Sequence, residues 1–247
     1  RLCSRSFHFT PQNEFVVAFG NRIYLYDETA RCLDVLYEAK EPIVAFCNTQ
    51  GNFVCIDSGG NIVQFNEDHE VLYQAVIKAK VDSAVMSEYG VYVASHNRLV
   101  FQAFNKKPKE KVLYECKAGI HLLSISGVYL LVGEASNLHI IDTHKPTEIK
   151  TVSHVRKVTS AWVDNENLVI GDEKGVITNY LSEFGEKQGQ TVIEHWHVHS
   201  VKALYGTPFA MISGGEEGVA VLWHRTASKK DFLPRFGAEI VGISSNE

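Results

Sequence analysis

The chain has 247 residues, 45% hydrophobic and 11% aromatic, enough apolar material for one large all-β core and too much for a disordered chain. Its 29 acidic and 24 basic side chains leave a formal charge of −5, so the overall basic excess of a nucleic-acid binder is absent and any phosphate contact must come from a local patch. No apolar run approaches the roughly 20 residues that a membrane-spanning helix needs, and the opening from Arg1 carries no signal segment, as expected of a trimmed or partial chain.

The chain opens with four short segments in succession: SFHFT (6–10), FVVAFG (15–20), RIYLYD (22–27) and CLDVLY (32–37). Alternating or continuous apolar character over so few residues predicts strands. Gly20-Asn21 between the second and third suits a tight hairpin, which needs positive φ. The cycle returns as PIVAFC, FVCIDS, NIVQFN and EVLYQAV, with Gly59-Gly60-Asn61 at its tight turn. Later copies are marked by RLVFQAF (98–104), LHIID (138–142), VITNYL (176–181) and VAVLWH (219–224), the last preceded by Glu217-Gly218. Tyr26, Phe65, Phe104, Ile141, Tyr180 and Trp223 close the third strands at spacings of 39, 39, 37, 39 and 43, near the ~40–45 residues of a four-stranded propeller blade.

This spacing predicts an all-β, WD40-type β-propeller of six four-stranded blades, at 5–40, 42–80, 81–118, 120–154, 157–197 and 200–237, in a single incomplete domain spanning 1–247. AEIVGIS (238–244) reads as the first strand of a seventh blade, occupying 238–247. An open ring would leave unpaired strand edges, so the remaining strands are expected from downstream sequence or from a partner.

Five cysteines, Cys3, Cys32, Cys47, Cys55 and Cys116, form no CxxC pair, which suits reduced thiols of an intracellular protein better than a metal or disulfide framework. His195, His197 and His199 in EHWHVHS would share one face of a strand, yet three imidazoles at strand spacing do not complete a zinc site, and no metal is expected. There is no G-x-S-x-G elbow and no phosphate-binding loop. Ser213-Gly214-Gly215 leads into a strand, so it offers no helix N-terminus to a phosphate. No catalytic residue and no cofactor is expected. Two basic segments stand out as candidate RNA or partner contacts: Lys106, Lys107, Lys109 and Lys111, and Arg225, Lys229, Lys230 and Arg235. The alternative is an exposed, solubilising turn in each case.

Ser213 to Trp223 resembles the WD40 pattern S-G-x-x-D-G-x-V-x-x-W, with Glu217 in the Asp position and His224 after the tryptophan. That resemblance implies a structural hydrogen-bond network joining His197 or His199 to Ser213, Glu217 and Trp223. His195-Trp196-His197, the Ser213–Trp223 blade and FLPRFGAEI (232–240) occur in this order, and Ser6 to Tyr37 opens the chain. Together they are similar to the N-terminal propeller of the WD repeat-containing protein 75 family, whose segment reads F-L-P-R-L-G-A-x-I, with Phe236 here in place of the leucine. The resemblance implies a non-catalytic scaffold of the UtpA (t-UTP) subcomplex in the small-subunit processome. It further implies sister UtpA and processome proteins and the 5′ external spacer of pre-rRNA as partners, a nucleolar location in the nucleus, and support of RNA polymerase I transcription. No membrane or small-molecule partner is expected. A WD40 scaffold of another complex, in trafficking, ubiquitin ligation or chromatin, remains the alternative on sequence alone.

Overall fold

The computed structural model describes residues 7–10, 14–49, 52–87, 89–104, 110–164, 167–181, 191–207, 209–224 and 229–243. They form six antiparallel sheets, each of four strands that follow one another in the sequence. Strands β1–β4 lie within 7–38, β5–β8 within 43–76, β9–β12 within 83–115, β13–β16 within 120–153, β17–β20 within 158–195 and β21–β24 within 201–232. The first three sheets belong to one compact unit ending at Cys116, and the other three to a second, Lys117–Ile243.

Within each unit the middle sheet shows why the strands read as apolar on both faces. Along β6 (Asn52–Asp57), Phe53 and Cys55 join Val16, Ile23 and Phe46 in one cluster, whereas Val54 and Ile56 join Ile62, Val91 and Val93 in another. Successive side chains point to opposite faces, so one strand serves two neighbouring sheets. In the second unit β18 (Asn167–Asp172) repeats the arrangement. Leu168 and Ile170 pack with Leu131 and Val158, and Val169 packs with Val201 and Trp223. Burying each such side chain contributes about 1.5–3 kcal/mol.

Polar fasteners sit between these sheets. The first strands β5 (Ile43–Thr49), β13 (Ile120–Ser126), β17 (Val158–Val163) and β21 (Val201–Gly206) each carry a register shift just inside their start. A bulge of this kind re-aims one side chain. His121 Nε2 thereby meets the Val158 carbonyl of the next sheet at 2.7 Å, and the Thr159 hydroxyl donates to the Val201 carbonyl at 2.7 Å.

The third strands keep a common register. Phe65 lies opposite Phe53, Ile141 opposite Leu130, Tyr180 opposite Leu168 and Trp223 opposite Met211. In the third sheet the corresponding residue, opposite Val91, is Gln102. Phe104, the residue expected there, lies just beyond β11 (Arg98–Ala103) and meets the Tyr73 ring edge-on at 6.0 Å. An amide fills the slot that holds an aromatic or aliphatic group elsewhere, so the nearest aromatic in the sequence marks the wrong residue.

Residues 238–243, expected to begin a seventh blade, form no strand ladder. They nonetheless pack on the sixth sheet. The Ile240 N–H donates to the Gly215 carbonyl at 3.2 Å, much as Ile43 N–H reaches Gly20 and Val158 N–H reaches Ala135 from one sheet to the turn of the sheet before.

The tight turns between second and third strands depend on glycine where the backbone is crowded. Gly175 has φ +80°, and a Cβ there would lie 2.1 Å from the His197 carbonyl oxygen, while at Gly20 (φ +62°) a Cβ would meet open space. Both positions carry the strain of a left-handed residue, but only Gly175 adds an immovable backbone collision. Gly20→Ala should therefore lower stability by about 1 kcal/mol and Gly175→Ala by about 3 kcal/mol or more, read as the shift of the urea midpoint.

Candidate interaction surface

The candidate interaction surface rests on polar networks that lock the inter-sheet linkers. In the sixth sheet Trp223 Nε1 donates to the Ser213 hydroxyl at 2.8 Å, and that hydroxyl lies 2.7 Å from His197 Nε2. His197 Nδ1 meets the Glu217 carboxylate in the turn between β22 (Ala210–Gly215) and β23 (Ala220–His224). One consistent proton order runs from indole N–H to serine oxygen, serine O–H to Nε2, and Nδ1–H to carboxylate. Both ring nitrogens of fully buried His197 are engaged. His195 and His199 are exposed, so the three histidines do not converge, and His197, not His199, belongs to the network. Gly215 makes the space. A Cβ there would lie 2.4 Å from the Glu217 oxygens and 2.5 Å from His197 Nδ1.

Two related networks carried no recognisable motif in the sequence. In the fifth sheet His154 Nδ1 lies 3.1 Å from the Tyr180 hydroxyl and Nε2 lies 3.4 Å from Asp172, which also receives Arg156 at 3.1 Å. In the fourth, His139 bridges Glu134 at 3.0 Å and the Thr151 hydroxyl at 2.9 Å. Glu134 and Asp172 both end the second strand of their sheets, at the position held by Gly215 in the sixth. Burial by itself pushes the Asp172 carboxyl up, but N–H groups of Val176 and Lys174, Arg156 and His154 outweigh it and hold the group below its usual range. Glu134 is likewise net lowered, its burial opposed by His139 and the Ala118 N–H.

On this frame the linkers present their next residue outward. Val155 and Val198, each following its network histidine, are 88% and 75% exposed. On the same unit, Trp196 packs at a tilt against Phe232 of β24 (Lys230–Phe232), with centroids 4.2 Å apart. Ile193, Leu233 and Phe236 are exposed as well. Single exposed apolar residues are ordinary, and the aromatic pair joining two sheets among them makes this the candidate interaction surface.

The basic candidates divide. Lys106, Lys107, Lys109 and Arg225 lie outside the described residues, and Lys111 is exposed on β12 (Glu110–Glu115). Lys229 pairs with Asp231 at 3.1 Å, and Lys230 with Glu194 at 3.5 Å, its ammonium 4.9 Å from the Trp223 ring centroid. Arg235 is exposed. The second basic segment is thus interleaved with carboxylates as well as aromatics, which mutes its field. Cys32 is exposed and Cys55 buried, and burial pushes the Cys47 and Cys55 thiols up to about 12, unreactive at neutral pH.

No protein-family model matches the chain. A stretch of 93 residues, 37% of this chain, is 29% identical to U3 small nucleolar RNA-associated protein 17 of Schizosaccharomyces pombe. Another of 105 residues, 41% of the chain, is 30% identical to WD repeat-containing protein 75 of Danio rerio. These stretches amount to 11% and 13% of the relatives' own length. Among solved structures, the computationally designed Ika8 protein matches with a TM-score of 0.75 at 15% identity, over 99% of this chain and 78% of that one. A chain of the mitotic checkpoint complex matches at 0.74 and 14% identity, over 98% and 86%. The β-propeller domain of Cps50 (Swd1) from Myceliophteria thermophila matches at 0.69 and 13% identity, over 94% and 87%. At such identities the likeness shows the fold, a WD40-type β-propeller.

Ser213→Ala would strand both the Trp223 N–H and His197 Nε2 in the core, and should cost about 2–4 kcal/mol in urea unfolding, with a changed tryptophan emission spectrum. Because the carboxyls of Asp172 and Glu134 are lowered in the fold, their stabilisation is present above the ordinary carboxylate range and is lost as pH falls through and below about 4. The urea midpoint should therefore drop between pH 5 and pH 3, and Asp172→Asn should make that drop shallower while lowering the midpoint at neutral pH.

Proposed function

We propose that this chain is a non-catalytic scaffold segment of the small-subunit processome, in a UtpA-type subcomplex acting on pre-18S rRNA in the nucleolus. The observation that carries the reading is the 29–30% identity to U3 small nucleolar RNA-associated protein 17 and WD repeat-containing protein 75. The propeller fold agrees with it, being a frame generally used to hold partners rather than to catalyse. Function in such a frame lies in surface sites. Here the Trp196–Phe232 surface, apolar and adjacent to paired charges, binds a sister protein subunit. Lys111, Lys229, Lys230 and Arg235, with Lys106, Lys107, Lys109 and Arg225, supply the phosphate contacts to the pre-rRNA spacer. The net charge of −5 makes protein contacts the larger share.

Affinity purification of the tagged full-length protein, with RNA crosslinking, tests this. Processome proteins and pre-rRNA spacer should be recovered together, with RNA recovery falling as salt rises. Trp196→Ala with Phe232→Ala should reduce the proteins several-fold. Lys230→Ala with Arg235→Ala should reduce crosslinked RNA and spare the proteins. Recovery of an unrelated complex without ribosomal precursor would overturn the reading.

A further inference from the structure

The whole chain carries a formal charge of −5, and two hairpins account for it. Residues 22–38 form β3 (Arg22–Tyr26) and β4 (Cys32–Glu38), and residues 61–76 form β7 (Asn61–Asn66) and β8 (Val71–Val76). Together they hold seven carboxylates against two guanidinium groups, and the remainder of the chain is formally neutral. Three of the seven are committed locally. Asp27 accepts the Thr29 and Arg31 N–H groups at 2.9 Å, Glu38 pairs with Arg22 at 3.1 Å, and Asp34 meets His69 at 3.1 Å. Glu28, Glu67, Asp68 and Glu70 are exposed and meet no cation among the described residues. The Asp34–His69 contact joins the 66–70 turn to β4, so these four carboxylates flank one end of the two outer strands.

Apolar groups line the space between those strands. Val71 lies opposite Phe65, Gln74 opposite Val63 and Val76 opposite Asn61, so all three share the face on which Phe65 and Val63 pack against Val16 and Ile23 of the first sheet. Across that layer Asp34 lies opposite Leu25 and Tyr37 opposite Ile23. Tyr37 stacks on Phe65 with centroids 5.1 Å apart. Further out the layer opens, and Val71 and Val76 are 55% and 57% exposed. The two outer strands thus bound a slot floored by Tyr37 and walled on one side by valines. Register shifts leave Leu33 of β4 and Leu72 of β8 outside their ladders, both about half exposed. Edges interrupted in this way are poor templates for a further strand, so an occupant is held by its side chains.

From this arrangement we infer that the slot between β4 and β8 receives a basic segment of a partner protein. Aliphatic side chains of that segment seat against Val71, Val76 and Tyr37, and its lysine or arginine side chains meet Glu28, Glu67, Asp68 and Glu70. The exposed aliphatic groups supply contact area, and the carboxylates at one end supply attraction and direction. The same charge repels nucleic acid and anionic membrane. A second copy of this chain would set two acidic ends near each other. This inference does not depend on the proposed function, whose contacts lie on other residues.

Fluorescence anisotropy with the full-length protein provides the test, using a panel of short labelled peptides in which two leucines stand at varied spacings from four lysines. At least one member should bind, with affinity falling as salt rises. Glu67→Lys with Asp68→Lys should weaken that binding by about tenfold. Val71→Thr with Val76→Thr, which keeps the branched shape, should weaken it by about fivefold with the melting curve unchanged. Glu173→Lys, an exposed change on the other unit, should leave it as it was. No binding by any member, indifference to either pair of substitutions, equal binding of peptides with glycine in place of leucine, or a concentration-dependent dimer lost on Val71→Thr with Val76→Thr would each overturn the proposal.

Discussion

A β-sheet whose two faces are both apolar cannot be exposed to water on either side, and this constraint organises each half of the molecule. The alternation of β6, with Phe53 and Cys55 on one side and Val54 and Ile56 on the other, commits one strand to two neighbours. The same holds for β18. Apolar packing of this kind is not directional, so it fixes that sheets stack but not their registration. The bulged first strands supply direction. His121 and Thr159 reach across to a single carbonyl each, and those bonds tie the fourth sheet to a fixed height on the fifth and the fifth to a fixed height on the sixth.

The carboxylate–imidazole pairs add a second layer of order at the ends of the second strands. Three consecutive sheets place an acid against a histidine, and they do so in different ways. Glu134 and Asp172 project from the strand end itself, whereas the sixth sheet leaves that position as Gly215 and brings Glu217 back from the turn. What is kept is the buried charge-assisted contact, and the residue supplying it varies. Such contacts are strong when every partner is satisfied, which makes them suitable locks for linkers that carry exposed valines just beyond.

Much of the fold was legible because the aromatic or aliphatic residue closing each third strand recurs at nearly constant spacing. Five of those six residues mark equivalent positions. The exception is instructive: Gln102 takes the slot, and periodicity of hydrophobic residues cannot reveal a buried amide. The sixth-sheet network followed from its near-complete WD40 pattern. The networks around His154 and His139 were hidden because their acids lie on strands instead of turns, and because tyrosine or threonine replaces the tryptophan–serine pair. No local pattern joins Trp196 to Phe232, whose contact depends on how two sheets sit side by side. The balancing of Lys229 and Lys230 by Asp231 and Glu194 is half visible at best, since one partner lies two residues away in sequence and the other comes from a different strand.

The linkers keep a fixed measure. From the buried residue that opens each one, Ala39, Ile77, Cys116, His154 or His197, to the apolar residue that anchors the next sheet, Ile43, Val81, Ile120, Val158 or Val201, the count is constant. The turns joining third to fourth strands obey no such measure, from the short link between Asn66 and Val71 to the long one between Leu181 and Thr191. Chain length is therefore regulated at one end of the sheets and free at the other. A longer third-to-fourth turn changes no stacking distance, so that end can take added sequence where the linker end cannot.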